Sequence, residues 1–509
     1  MLHWKLKNRV AFAALCSMVV SISEPVFAGK DNDTFNVALE AEIETLDVYF
    51  GASRNSIIMS HHLFDTLVYK DQETGEFVPA LAESFQYIDD TTLEFRLRKG
   101  VKYHDGSSFD ADDVVYTFEM VSKPNFGAVY QIAVEWIESV EKIDDHTIRL
   151  HSKSPNPVAL EWLSVALPVY PAGYYEEMGK EGRATQPIGT GPYRLASITP
   201  GVRWRLERFE GHYEGSPKGN EIGTIDIRVL PEMNTQVTEI LSGNVDFIWK
   251  FTPDIAGRLN QSEEVDVKNT PIMRIVFGNL NTLDESPLQD RRVRQAMLHA
   301  LNRDAILDAF VGGASKVIHT PCNPVQFGCD TDVTTYEYDP DRAEDLLAEA
   351  GYPDGFTIPV LAVKSGSTPR TIVEAITADW ARVGITSEVD INQYAAIREK
   401  WIAGDIPVTI GSWGSWGIGD VLLMNSEFFG GKAVDKVRDE EIMGWLEKAD
   451  TSVDRDLRKE LYSGAIEKVA EEALFFPLWT YNVNYATSKD VEFELTEDEI
   501  ARFFNARWK

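Results

Sequence analysis

The chain has 509 residues, enough for two or three domains and a sizeable core. Its 81 acidic side chains against 49 basic ones give a formal charge of -32, which argues against nucleic acid or an anionic membrane as a partner. The same sign would steer cationic ligands, although an acidic, soluble, exported protein accounts for it without any ligand.

In chain order, residues 1–28 read as an export signal. Lys5, Lys7 and Arg9 precede an apolar stretch from Val10 to Val20, and Val26-Phe27-Ala28 has the spacing of a cleavage site. Lipid attachment at Cys16 is the alternative, but Ala13-Ala14-Leu15 is a poor context for it. No later segment has the roughly 18 consecutive apolar residues of a membrane helix, so the mature chain is expected to be soluble and periplasmic.

From Leu93 to Leu97 apolar and charged residues alternate, the period of a half-buried strand. Lys99-Gly100 turns the chain, and Asp110 is placed to cap a helix whose buried stripe is Val114, Val115, Phe118 and Val121. Between Gly201 and Trp249 the pattern predicts two strands, a helix ending at Gly243-Asn244 and a third strand, the makings of a crossover in an α/β layer. An apolar strand from Met273 to Leu280 leads into a predicted helix over 289–311. A further helix begins at Asp339-Pro340 and stops at Gly351, and another runs from about Thr371 to Val383 and stops at Gly384, with a strand after it. The expectation is two α/β lobes joined by short ordered crossings.

Cys322 and Cys329 flank the turn-rich Asn-Pro-Val-Gln-Phe-Gly, so a local disulfide is expected in an oxidising compartment; two cysteines without histidines at ligand spacing make a poor zinc site. The densest candidate for ligand contact is Gly411-Ser412-Trp413-Gly414-Ser415-Trp416-Gly417-Ile418-Gly419-Asp420. Its glycines allow close backbone approach, and its tryptophans offer broad apolar walls. Asp420 reads either as a ligand contact or as the cap of a following helix.

Several motifs stand in a fixed order along the chain: Thr45-Leu46-Asp47, Pro79 to Ser84, the run from Leu63 to Val121, Gly189-Thr190-Gly191-Pro192-Tyr193, Ser242 to Asp246, Asp290 to Ala300 with Asn302-Arg303, Tyr338-Asp339-Pro340, and Leu346 to Gly355. In this order and spacing the chain resembles the family 5 extracellular solute-binding proteins, the peptide-binding components of ABC importers. The resemblance implies a two-lobed periplasmic-binding-protein fold of the class II, cluster C type: lobe one from 29–273 and 481–509, an extra subdomain at about 62–180, and lobe two from 274–480. It implies that ligand capture is followed by hinge closure and delivery to a permease with its ATPase subunits. It implies no enzyme activity, cofactor or nucleic-acid partner, and a monomer. By position Asp420 would pair with a peptide's amino group, beside Trp413, Gly414, Ser415, Trp416 and Gly417.

Where dipeptide binders of the family carry an arginine for the peptide carboxylate, this chain has Lys364, which lacks the two-pronged guanidinium. Strict dipeptide specificity is therefore not expected; oligopeptides are, with opines, sugar conjugates, nickel complexes or haem as alternatives. His61-His62 is a poor chelate, because neighbours in sequence point to different faces. Ser139-Val140-Glu141-Lys142 matches a serine-x-x-lysine hydrolase motif, but the partner motifs are absent and a helix surface accounts for it.

Overall fold

A computed structural model describes residues 29–51, 53–129, 131–364 and 368–509; the expected export signal lies outside the described residues. Its backbone is organised by a ten-stranded sheet. The strand order is Ile385–Asn392, Phe356–Lys364, Val408–Trp413, Val265–Leu280, Phe475–Ser488, Phe247–Trp249, Thr34–Leu39, Thr224–Val229, Arg203–Arg208 and Tyr193–Thr199. The two central strands are long, 16 and 14 residues, and antiparallel. Their 275–280 and 475–480 portions pair with each other and, through Val408–Trp413, join one half of the sheet; their 265–272 and 481–488 portions join the other half through Phe247–Trp249. The crossings are thus paired strands running through both halves. The ladder between them shifts register between Ile272 and Ile275, opposite Tyr481 and Thr480. A bulge of this kind is where a paired ribbon bends most easily.

The first half carries an appended four-stranded antiparallel sheet, ordered Ala82–Asp89, Thr92–Leu97, Thr147–Ser152, Ile137–Asp144. Leu93, Phe95 and Leu97 are buried, as the alternation predicts, and the helix Ala111–Val121 begins at Asp110 with a full capping box closed by Asp113. The serine-x-x-lysine tetrad lies in the edge strand Ile137–Asp144, not on a helix.

One other expectation is modified. The predicted helix over 289–311 is two helices, Arg291–His299 and Arg303–Phe310. Asn302 interrupts it: its side chain accepts from the Ala305 amide as the second helix's cap, while its own amide donates to Asp379. Gly189 and Gly191 are required by space rather than by a turn angle, since a Cβ there would lie 2.0 Å from the Leu63 carbonyl oxygen and 2.5 Å from that of His62. Two arginines of the family-like motifs also have structural roles. Arg294 donates to the carbonyls of Leu288, Gln289, Glu472 and Ala473, and Arg303 to those of Ile318, Tyr336 and Pro477.

Candidate functional site: the cleft at the strand crossing

Phe356–Lys364 and Val408–Trp413 are parallel neighbours, and their carboxyl ends deliver Lys364 and the glycine-tryptophan segment to one place. That is the edge at which open α/β sheets bind ligands. Two adjoining cavities lie there, of about 540 and 480 Å3, and both are lined by Arg274, Lys364 and Ser412. Arg274 stands inside the register shift of the crossing strand, so the shared wall is also the bend. A larger groove of about 690 Å3, lined by residues such as His104, Met178 and Ile198, lies apart from these side chains.

The second cavity is walled by aromatic rings, among them Tyr394, Trp401, Trp413, Trp416 and Phe428. Trp413 meets Trp416 edge-on at 5.6 Å and Phe428 at 5.4 Å, while Trp416 reaches across to Trp162 of the first half at 5.9 Å. The turn that carries them has an unusual backbone: Ser415, Trp416 and Gly417 all have positive φ, at 45°, 53° and 87°. For the two non-glycine residues this costs on the order of 1–3 kcal/mol each. Tight packing holds the turn in place, since a Cβ on Gly417 would sit 3.0 Å from Asp498 Cβ and one on Gly414 would sit 3.3 Å from the Met273 carbonyl oxygen.

Of the residues expected from sequence, Lys364, Trp413, Gly414 and Trp416 line the cavities; Ser415, Gly417 and Asp420 do not. Ser415 and Gly417 are buried in the turn's support. Asp420 is buried too, and its carboxylate is taken inside the protein. Arg458 Nη2 lies 2.9 and 2.8 Å from its two oxygens, and Oδ1 also accepts the Leu422 amide at 3.0 Å, just before the helix Leu422–Phe429. Behind it, Arg458 donates to Tyr462, which donates to Asp450.

Cys322 and Cys329 are joined by a disulfide. The loop they close braces the same segment: Gln326 Nε2 donates to the carbonyls of Ile418 and Asp420, and Phe327 bonds through its amide to Gly419 and through its carbonyl to Val421.

Sequence reasoning missed most of the cleft's charged groups. Five cationic side chains, Arg54, Lys250, Arg274, Lys364 and Arg398, line the two cavities against three carboxylates, Glu40, Glu427 and Glu499. The cleft thus carries the opposite sign to the chain as a whole. Glu499 is a hub, 3.0 Å from Arg274, 3.4 Å from Lys250 and 3.9 Å from Arg54. Burial works to raise its pKa, but Arg274, Arg54 and Lys250 more than offset this and bring it down to about 2. Burial, and then the nearby Arg274, lower the pKa of Lys364, whose ammonium lies 5.3 Å from the Tyr394 ring. One signal was available: Arg274 is a lone charge in the apolar run from Ile272 to Phe277. Nothing local marks Arg54 or Glu499.

His61 and His62 are buried in the helix Arg54–Leu63, where they contact the carbonyl oxygens of Val165 and Ile58, and burial pushes His62 down to about 3. Among the described residues no group of three or more metal-ligating side chains forms, and no helix is long and apolar enough to cross a membrane.

A sheet shared between two halves, a bend in its central strands and a cleft at that bend define a solute-binding protein of the two-lobed kind. The chain belongs to the bacterial extracellular solute-binding proteins, family 5, whose model matches residues 76–434. These are solute-binding components of ABC transporters in a peptide-transport family, not enzymes, and act outside the cytoplasmic membrane. Similar chains include the haem-binding protein A of Haemophilus influenzae, 28% identical over 86% of this chain and 84% of that one. The glutathione-binding protein GsiB of Pectobacterium atrosepticum is 26% identical over 98% and 97%. Among solved structures, a dipeptide-binding protein from Pseudoalteromonas sp. SM9913 in complex with Met-Leu superposes with a TM-score of 0.79, at 21% identity, over 94% of this chain and all of that one. The fold is the mixed α/β periplasmic-binding-protein fold of cluster C.

Proposed function

We propose that this protein captures peptides longer than dipeptides, or solutes built like them, in the cleft at the strand crossing and delivers them to a membrane permease for import. The observation that supports this most directly is the pair of adjoining cavities, about 540 and 480 Å3, meeting at Arg274 and Lys364. Each is within the usual range for a small-molecule site, and together they exceed what two residues need. The guanidinium fork absent at position 364 is available from Arg274 and Arg398 for a carboxylate. Glu40 and Glu427 are the carboxylates we assign to a ligand ammonium, because they line the cavities and Asp420 does not.

In this reading the chain is exported, acts as a monomer and closes by rotation about the Ile272–Ile275 and Thr480–Tyr481 bend, and the closed form is what the permease recognises. Titration calorimetry with an unbiased series from two to six residues tests it. Affinity is expected to rise from two residues to four or five and then level. A series in which no peptide binds overturns the reading, and one in which only dipeptides bind overturns its length preference.

A further inference from the structure

The charge of the cleft narrows the ligand class. In a chain of net charge -32, a cavity lined by average surface would be acidic, yet the aromatic-walled cavity presents Arg54, Arg274, Lys364 and Arg398 against Glu427, and Glu499 beside Arg274 and Arg54 offsets only one further charge. Glu427 is itself placed 3.4 Å from Lys432. Clustering like charges in a low-dielectric concavity is unfavourable unless something of opposite sign enters, and such a cavity focuses potential toward an anion even when the surrounding surface repels it.

Two further observations locate where that anion would be held. Arg54 Nη1 is buried with no hydrogen-bond acceptor among the described residues, a cost that a ligand oxygen would remove. Arg398 also lines this cavity, is exposed and makes no ion pair among the described residues. Arg54 opens the helix Arg54–Leu63 of lobe one, whereas Arg398 and Lys364 belong to lobe two. Tyr394, Trp401, Trp413, Trp416 and Phe428 line the same cavity and come from the same stretch of chain as Lys364 and Arg398.

We infer that the cleft takes a solute with an apolar or aromatic body and at least two separated carboxylates, one received by Arg54 and Arg274 and the other by Lys364 and Arg398. The inference rests on the import reading above and sharpens it, since a zwitterionic peptide with neutral side chains offers only one carboxylate. It also supplies a closing force: an anion that bridges Arg54 and Arg398 draws the two lobes together. Affinity is then expected to fall with salt more steeply than for a neutral ligand.

The test uses matched probes on the full mature protein. Titration calorimetry compares alanyl-tryptophanyl-glutamate with its glutamine and lysine counterparts, and haemin with its dimethyl ester. The glutamate peptide is expected to bind ~10-fold or more tightly than the glutamine peptide, and the lysine peptide most weakly. Arg398→Gln is expected to narrow the glutamate-over-glutamine preference. If the tripeptides bind irrespective of charge, or the lysine form binds best, the anionic inference is overturned while the peptide reading stands. If no tripeptide binds but haemin binds more tightly than its diester, the anionic inference stands and the peptide reading falls. If neither the glutamate peptide nor haemin binds, the inference is overturned.

Discussion

The carboxylate of Asp420 is held by Arg458 38 residues further on, with both oxygens within 2.9 Å of one guanidinium nitrogen and both side chains buried. Removing one partner of such a pair leaves an uncompensated buried charge, at about 3–5 kcal/mol. Asp420→Ala is therefore expected to lower the thermal midpoint of the protein by several degrees. Asp420→Asn, which keeps the shape and part of the hydrogen bonding, should cost less. Ligand affinity measured below the transition should change much less than stability does. Differential scanning calorimetry beside titration calorimetry separates the two effects; a large affinity loss with unchanged stability would return Asp420 to the ligand.

Glu499 gives a pH dependence of definite sign. Its pKa is about 2 in the folded protein against an ordinary 4.5, because Arg274, Arg54 and Lys250 outweigh its burial. A carboxylate with a depressed folded pKa stabilises fully above the unfolded value, and that contribution is lost as pH falls from about 4.5 toward 2. The shift corresponds to about 3 kcal/mol. Glu499→Gln should thus be less stable than the parent at pH 7, and the gap should close between pH 4.5 and 2 in urea titrations at stepped pH. A gap that stays constant across that window would show that the cation cluster does not depend on this charge.

What was legible in the sequence was what is decided locally. The strand at Leu93 to Leu97 and the helix capped by Asp110 follow from alternation and one cap, both within a dozen residues. Trp413 and Trp416 reach the cleft because the strand before them ends there. The fate of Asp420 was not legible, since its partner lies on a helix two elements away and a sequence shows the carboxylate without its counter-charge. Glu499 and Arg274 are 225 residues apart and meet only because the chain's tail returns to the crossing strand. Net charge did not reveal the cleft's cations for a related reason: it sums the whole surface, whereas a cleft gathers a few side chains whose sign is set by fold. The break at Asn302 was missed because the apolar spacing continues through it; the side-chain cap and the Asp379 contact decide the matter.

The disulfide loop should tune the ligand segment. Closing a loop of this length is worth about 2 kcal/mol in the chain-entropy account. Within that loop Gln326 and Phe327 hydrogen-bond to Ile418, Gly419, Asp420 and Val421. Cys322→Ser with Cys329→Ser, or reduction with a small thiol, is expected to lower stability by that amount and to raise hydrogen exchange at 418–421 before exchange rises elsewhere. Mass-spectrometric exchange on the two forms checks it. Uniform exchange changes across the chain, or none at 418–421, would mean that the loop does not brace the segment.

Trp416 carries two effects that can be pulled apart. Its ring walls the cavity and touches Trp413 and Trp162, while its backbone sits at φ 53°, which only glycine adopts without penalty. Trp416→Ala and Trp416→Gly both delete the ring, so both should weaken binding of an aromatic-bearing ligand by on the order of 2 kcal/mol, roughly 30-fold. They should differ in stability. The glycine variant is released from the left-handed strain and is expected to be more stable than the alanine variant by about 1 kcal/mol, even though glycine gives up more freedom on folding. Urea denaturation of the two variants side by side reads that difference directly. If alanine proves the more stable, the turn does not hold Trp416 in the left-handed region in solution.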